Sequence, residues 1–171
     1  ILINNAGASW GAPFDEFPES GWDKVMDINV KSLFFLTQQL APMMRASATP
    51  EQPAKVINIA STDGLSNSRI ETYSYSASKA AVIHLTRRLA NRLAEDNIRV
   101  NAIAPGAFAS NMNIWARDNP ENVAPRIPAK RIGKPDDIAG TAVYMCSRAG
   151  DFLLGATIPL DGGTVYGTLQ G

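Results

Sequence analysis

Apolar residues along this chain fall into two alternating patterns, short unbroken runs and longer stretches with helical spacing. The unbroken runs are Ile1–Asn4, Lys55–Ala60, Ile98–Ala104 and Ala156–Leu160, each closed by turn residues. Runs of that length, rich in Ile and Val, predict strands buried on both faces. The spacing of Val25, Ile28, Leu33, Leu36, Leu40 and Met44 predicts a helix to about Arg45, with Ser20 as its N-cap. A second helix is predicted from Tyr73 to about Asp96, with Val82, Leu85, Leu89 and Leu93 on its apolar face. A third covers Asp136–Ser147 after Pro135. Thr62–Thr72 reads as a small-residue loop. The stretch 107–134, polar and dotted with proline, is too long for an ordinary connector and is expected to form a lid or substrate loop.

Strands alternating with helices predict an α/β fold, a parallel sheet with right-handed crossovers and helices on both faces. Ligands of such sheets sit beyond the carboxyl ends of the strands. Asn5, Ser61 and Pro105-Gly106 close the first three strands, and Tyr75 opens the helix that leaves the second. The topology therefore brings all of them to one edge of the sheet.

Composition narrows the partners. With 171 residues, 45% of them hydrophobic, residues 1–171 can bury one core and form one domain. The 16 basic and 16 acidic residues cancel, which removes the electrostatic case for nucleic acid or an anionic membrane. No apolar run approaches the ~20 residues of a membrane span. Cys146 is the only cysteine, so no intrachain disulfide or thiolate metal cluster can form, and a reducing cytoplasm fits best. His84 has no ligand partner at metal spacing and reads as structural, so no metal is expected.

The candidate chemistry lies in Ser61, Tyr75 and Lys79. Four residues apart on a helix, Tyr75 and Lys79 share a face. An ammonium beside a phenol favours the phenolate and lowers a pKa that is ordinarily near ~10. Ser61, at a strand end, can share a carbonyl oxygen with the phenol, and that trio can hand a proton to a carbonyl while hydride arrives from elsewhere. Each residue also has a plainer reading. Tyr75 and Lys79 could be a helix-surface pair, Ser61 has Thr62 as a rival, and Asn29 could simply bond backbone. Asn5 is expected to tie neighbouring strands together. Trp10, Met112 and Trp115 either line an apolar pocket or pack.

With these residues placed, the chain resembles the short-chain dehydrogenase/reductase family over essentially its whole length. Asn-Asn-Ala-Gly (4–7) is similar to the motif after that family's fourth strand, and Met-Asp-Ile-Asn-Val (26–30) to the segment bearing its active-site asparagine, here Asn29. Ile-Asn-Ile-Ala-Ser (57–61) resembles the catalytic-serine strand and Tyr-Ser-Ala-Ser-Lys (75–79) the Tyr-x-x-x-Lys box. Arg-Val-Asn-Ala-Ile-Ala-Pro-Gly (99–106) resembles the Pro-Gly motif beside the nicotinamide; segments 131–139 and 160–163 resemble two late motifs. Within the family the likeness is to 3-oxoacyl reductases, the rhamnolipid-associated type in particular.

The resemblance implies a Rossmann-like doubly wound sheet, of which this chain carries the C-terminal part, and reduction of a ketone, such as a 3-oxoacyl thioester, with NADP or alternatively NAD. It implies Tyr75 as proton donor, Ser61 on the carbonyl, Lys79 on phenol and ribose, and Asn29 in a water relay. Asn5, Ala6, Gly7, Tyr75, Lys79, Pro105, Gly106, Phe108 and Ser110 are then expected around the cofactor. A homodimer or homotetramer is expected, with Met26, Phe34, Thr37, Ala41, Ala80, Ala81 and Ala90 allowing close helix approach. The family's Gly-rich pyrophosphate loop has no counterpart in 1–171. About three strand–helix units of ~30 residues, the mononucleotide-binding half, are therefore expected upstream. The alternatives are a catalytically inactive fragment that keeps only assembly surfaces and, more distantly, a sugar epimerase.

Overall fold

The computed structural model describes residues 1–167. Its sheet has four strands, β1 (Leu2–Asn4), β2 (Ala54–Ile59), β3 (Ile98–Pro105) and β4 (Thr157–Leu160), in that order and all parallel. Ile3 pairs with Ile57, Ile57 with Asn101, and Ile103 with Ile158. Side-chain alternation sorts the core. Val56, Val100, Ala102 and Ala104 face one way, and Ile57 and Ile103 the other.

Between β1 and β2 run α1 (Glu19–Met26), a π-helical turn (Asp27–Lys31) and α2 (Ser32–Ser47). The helix α3 (Tyr73–Leu93) joins β2 to β3. Ala41 and Met44 of α2 pack with Ala90 and Leu93 of α3 on one sheet face, where Ala102 and Ala104 leave room for Val82. After two short helices, α4 (Ile114–Asp118) and α5 (Pro120–Val123), α6 (Pro135–Cys146) covers the opposite face through Met145 on Ile57 and Ile103.

Several local expectations are corrected or refined. α1 starts at Glu19 after Pro18, with no side-chain cap, so Ser20 lies inside the helix. Proline's fixed φ suits a helix entry, and Glu19 complements the positive end of the dipole. The stretch 107–134, expected as a lid or substrate loop, carries the short helices α4 and α5. The buried face of α3 is Ser74, Ser78, Lys79, Val82, Ile83, Thr86, Ala90 and Leu93, while Leu85 and Leu89 are half-buried. Thr37, Ala41 and Ala90, expected between subunits, are instead core residues. Among the described residues no helix is long and apolar enough to cross a membrane.

Candidate active site

Ser61 follows β2 in extended backbone and is buried; its Oγ accepts from the Asp63 N–H at 3.2 Å, which starts a short 3-10 turn, Thr62–Gly64. That turn lies directly on α3. A Cβ on Gly64 would stand 2.6 Å from the backbone carbon of Lys79, a contact only glycine permits. This approach brings the Ser61 hydroxyl to the Tyr75 phenol, where it opposes the rise that burial imposes on the phenol's pKa. Lys79, 5% exposed, donates to the Ile59 carbonyl at 2.8 Å, and its Nζ stands 5.5 Å from the centroid of the Tyr75 ring.

The electrostatics differ from the expectation. Burial pushes the Tyr75 phenol above its ordinary value and the Asp63 carboxylate adds to that rise, against the opposing Ser61 hydroxyl. Lys79 is itself lowered to about 8 by burial. The expected lowering of the phenol by Lys79 is absent here; desolvation wins.

Asn29 lies in the π-helical turn, 2% exposed. Its Nδ2 donates to the Ala8 carbonyl and to Ser78 Oγ, both at 2.9 Å, and its Oδ1 accepts from the Ala8 N–H at 2.8 Å. π-Helical turns recur at functional sites because the widened turn displaces a side chain from regular register. A Cβ on Gly7 would stand 3.4 Å from Asn29 Oδ1, 3.7 Å from Lys79 Nζ and 3.8 Å from the Met112 methyl. Gly7 thus leaves a gap bordered by all three.

The other expected residues divide. Asn5 and Ala6 are exposed just past β1, while strand-tying falls to Asn4, whose Nδ2 donates to Asn58 at 2.8 Å and Thr37 at 3.1 Å. That corrects the role expected of Asn5. Pro105 ends β3, and the Gly106 N–H donates to Leu160 at 3.0 Å, with Asp161 where a Cβ would go. Phe108 lies with its ring over Gly133, beside a cavity of about 210 Å³ also lined by Ile127 and Leu160. Ser110 is exposed and accepts from the Asn113 N–H at 3.0 Å, within its own turn. Trp10 packs on Gly21 with Lys24 Nζ 5.6 Å over its ring, whereas Met112 and Trp115 are exposed. In segment 131–139, Asp137 accepts both Arg131 guanidinium nitrogens, at 2.6 and 3.0 Å, and the Lys134 N–H, which caps α6 and holds its carboxyl at about 2. His84 is exposed on α3.

A family profile described as Enoyl-(Acyl carrier protein) reductase matches residues 1–165. The chain belongs to the short-chain dehydrogenase/reductase family. It is 45% identical over 166 residues to the rhamnolipids biosynthesis 3-oxoacyl-[acyl-carrier-protein] reductase of Pseudomonas aeruginosa, covering 95% of this chain and 65% of that protein. The 2-dehydro-3-deoxy-D-gluconate 5-dehydrogenase of Dickeya dadantii is also 45% identical, over 95% of this chain and 64% of its own. In three dimensions the chain resembles the Pseudomonas aeruginosa RhlG/NADP active-site complex, with TM-score 0.91, 44% identity, and coverage of 96% of this chain and 65% of that one. A gluconate 5-dehydrogenase from Burkholderia cenocepacia in complex with NADP and tartrate gives 0.89 at 33% identity, over 98% and 65%. The chain thus spans just under two thirds of the length of these relatives.

Within this family fold, sequence reasoning missed Ser78, Asn4 and Asn58. Asn58 Nδ2 donates to Thr86 at 2.9 Å, so Thr37, Asn4, Asn58 and Thr86 form a buried polar chain from α2 through two strands to α3. The legible signal was an asparagine inside an otherwise apolar run, Val-Ile-Asn-Ile (56–59), since a polar group there must find a partner.

Proposed function

We propose that this chain carries the catalytic centre of an NADPH-dependent reductase that converts a ketone, best a 3-oxoacyl thioester, to a secondary alcohol. The observation that carries this reading is the convergence of Ser61, Tyr75 and Lys79 at the carboxyl end of β2. In this reading Tyr75 donates the proton and Ser61 donates a hydrogen bond to the substrate carbonyl. Lys79 uses one N–H on Ile59 and keeps two for a ribose hydroxyl and water. With no Cβ at Gly7, a bound nicotinamide ribose can come close to the backbone beside Asn29 and Lys79, with Pro105 and Gly106 at the end of β3. NADPH supplies the hydride; the chain orients and polarises. The solved relatives with NADP support that cofactor over NAD.

The reading takes 1–171 as the C-terminal part of a doubly wound domain whose pyrophosphate-binding half lies outside this sequence. It includes a homo-oligomer, supported by exposed Phe35, Leu36 and Met43 on α2 and Val143 on α6. The equal identity to a sugar-acid dehydrogenase favours a second substrate reading, a keto sugar acid. Exposed Met112, whose methyl reaches Gly7, and the exposed Ile114 and Trp115 that follow it in the chain favour the acyl substrate. The test is NADPH oxidation by the whole protein with a 3-oxoacyl thioester against a keto sugar acid. Preference for the sugar acid replaces the first substrate; no oxidation with any ketone defeats the reductase.

A further inference from the structure

Ser78 sits on α3 between the two residues of the Tyr-x-x-x-Lys box, with no exposed surface. Its hydroxyl has one proton and two lone pairs. The Tyr75 carbonyl oxygen lies 2.7 Å away and can only accept, so the proton is committed there. Toward any other neighbour Ser78 Oγ can only accept, and the group that reaches it is the Asn29 amide at 2.9 Å.

A carboxamide ends in two groups of equal size and opposite polarity, and the surrounding hydrogen bonds decide which is which. Against Ser78 only the amide nitrogen is satisfied. The Ala8 contacts agree, since its carbonyl faces Nδ2 and its N–H faces Oδ1. A reversed amide would set oxygen against two acceptors and nitrogen against a donor, in a residue 2% exposed. Buried groups left unmatched in that way carry their full desolvation cost.

The orientation decides what borders the gap at Gly7. As held, the carbonyl oxygen of Asn29 and the ammonium of Lys79 stand on the same gap, an acceptor beside a cation. Reversed, two N–H donors would stand there instead.

We propose that Ser78 is a positioning residue for the reaction, which together with the Ala8 backbone fixes the Asn29 amide so that its carbonyl oxygen faces the Gly7–Lys79 gap. The proposal rests on the reading of Ser61, Tyr75 and Lys79 as a reductase centre. It gives Ser78 no contact with substrate or cofactor; it acts through Asn29.

The test is a double-substitution cycle in the whole protein. Ser78→Ala should lower kcat about 10-fold, the scale of one net hydrogen bond, with KM for NADPH and ketone within about twofold of the parent. Combined with Asn29→Ala it should cost no more than Asn29→Ala alone, because one residue acts through the other. Parental turnover in Ser78→Ala, or losses that multiply, overturns the proposal. If Ser78→Ala fails to melt cooperatively, Asn29→Asp replaces it. That change keeps the size but sets oxygen against Ser78 and Ala8, and should lose as much turnover as Asn29→Ala; near-parental turnover overturns the proposal. If the parent reduces no ketone, the reductase reading fails. The orientation is then read from hydrogen exchange of the Asn29 side-chain amide. Slow exchange that becomes fast in Ser78→Ala supports the orientation, and fast exchange in the parent overturns it.

Discussion

The corner between β2 and α3 and the segment 107–134 flank the same site but are held in opposite ways. In the corner the hydrogen bonds join residues far apart in the chain. Asn4 reaches Asn58 across 54 positions, Asn29 reaches Ser78 across 49, Asn58 reaches Thr86 across 28 and Lys79 reaches Ile59 across 20. The segment's ends are tied by backbone bonds, Gly133 N–H to the Ala107 carbonyl and Ala129 N–H to the Gly162 carbonyl, but the side-chain bonds of its middle, 110–118, are local. Ser110 bonds Asn113, Asn113 bonds Ala116, and Arg117 bonds Asn111 and Asp118, none spanning more than six positions. A corner tied by long-range bonds opens only with the fold, whereas the middle of the segment, 110–118, bonded to itself between fixed ends, can shift at little cost. The corner therefore suits chemistry that needs fixed geometry, and the segment suits the choice of substrate.

The strongest way to break this division is Tyr75→Phe, which leaves the corner's packing intact and removes the phenolic proton. In the whole protein, turnover should fall by at least ~10²-fold with NADPH binding kept, measured by steady-state rates and nucleotide titration. Near-parental turnover would take Tyr75 out of the reaction.

Lys79 tests the corner's electrostatics. Burial holds its pKa at about 8 and raises that of Tyr75, so as pH rises the ammonium is lost before the phenol. The kcat/KM profile for the nucleotide, which reports the free enzyme, should fall as pH climbs through about 8, and Lys79→Met should be weakly active without that limb. Stability has a definite sign as well. Between about 8 and the ordinary 10.5 the unfolded chain binds more proton than the folded one, so stability should rise with pH across that window. Lys79→Met should lack the rise, and a denaturant melt at several pH values checks it.

Asn58→Ala tests the long-range ties themselves. It strips Asn4 Nδ2 of one acceptor and Thr86 of its donor, at a site with no exposed surface, and leaves a cavity. The expected loss is about 2–3 kcal/mol of unfolding free energy, from unmatched buried groups and lost packing. A loss below about 0.5 kcal/mol would mean that the polar chain does not hold the corner.

What could be read from the sequence follows the same division between near and far. Unbroken apolar runs announced all four strands, because a parallel sheet covered on both faces leaves its mark locally. The convergence of Ser61 and Tyr75 followed from topology alone. Ser78 was passed over because its partner Asn29 lies 49 positions away and only the folded chain joins them. The π-helical turn at Asp27–Lys31 has no local signature, since those residues fit an ordinary helix equally well. Lys79 and Thr86 could not be assigned to the buried face of α3 because polar residues do not contribute to an apolar stripe. The direction of the Tyr75 shift was misjudged for a related reason: proximity of a cation is legible from i, i+4 spacing, but desolvation is a property of everything packed around the ring.

The segment 107–134 should give the smallest change in stability and the sharpest change in selectivity. Met112 is half exposed, Ile114 and Trp115 are more exposed still, and of these side chains the Met112 methyl borders the Gly7 gap. Removing apolar groups that already face water costs little, so Met112→Ala and Trp115→Ala should each move the unfolding free energy by no more than about 0.5 kcal/mol. An acyl chain lying along them would lose buried surface on both sides, at about 25 cal/mol per Å². KM for a long 3-oxoacyl thioester should therefore rise several-fold in both variants, while KM for a short one and kcat for either barely change. The measurement is a chain-length series of substrates against each variant. A uniform rise at every chain length would assign these residues to closing the segment over the site. A fall in kcat with KM unchanged would place Met112 with the corner, and the division between fixed chemistry and adjustable selectivity would fail at that residue.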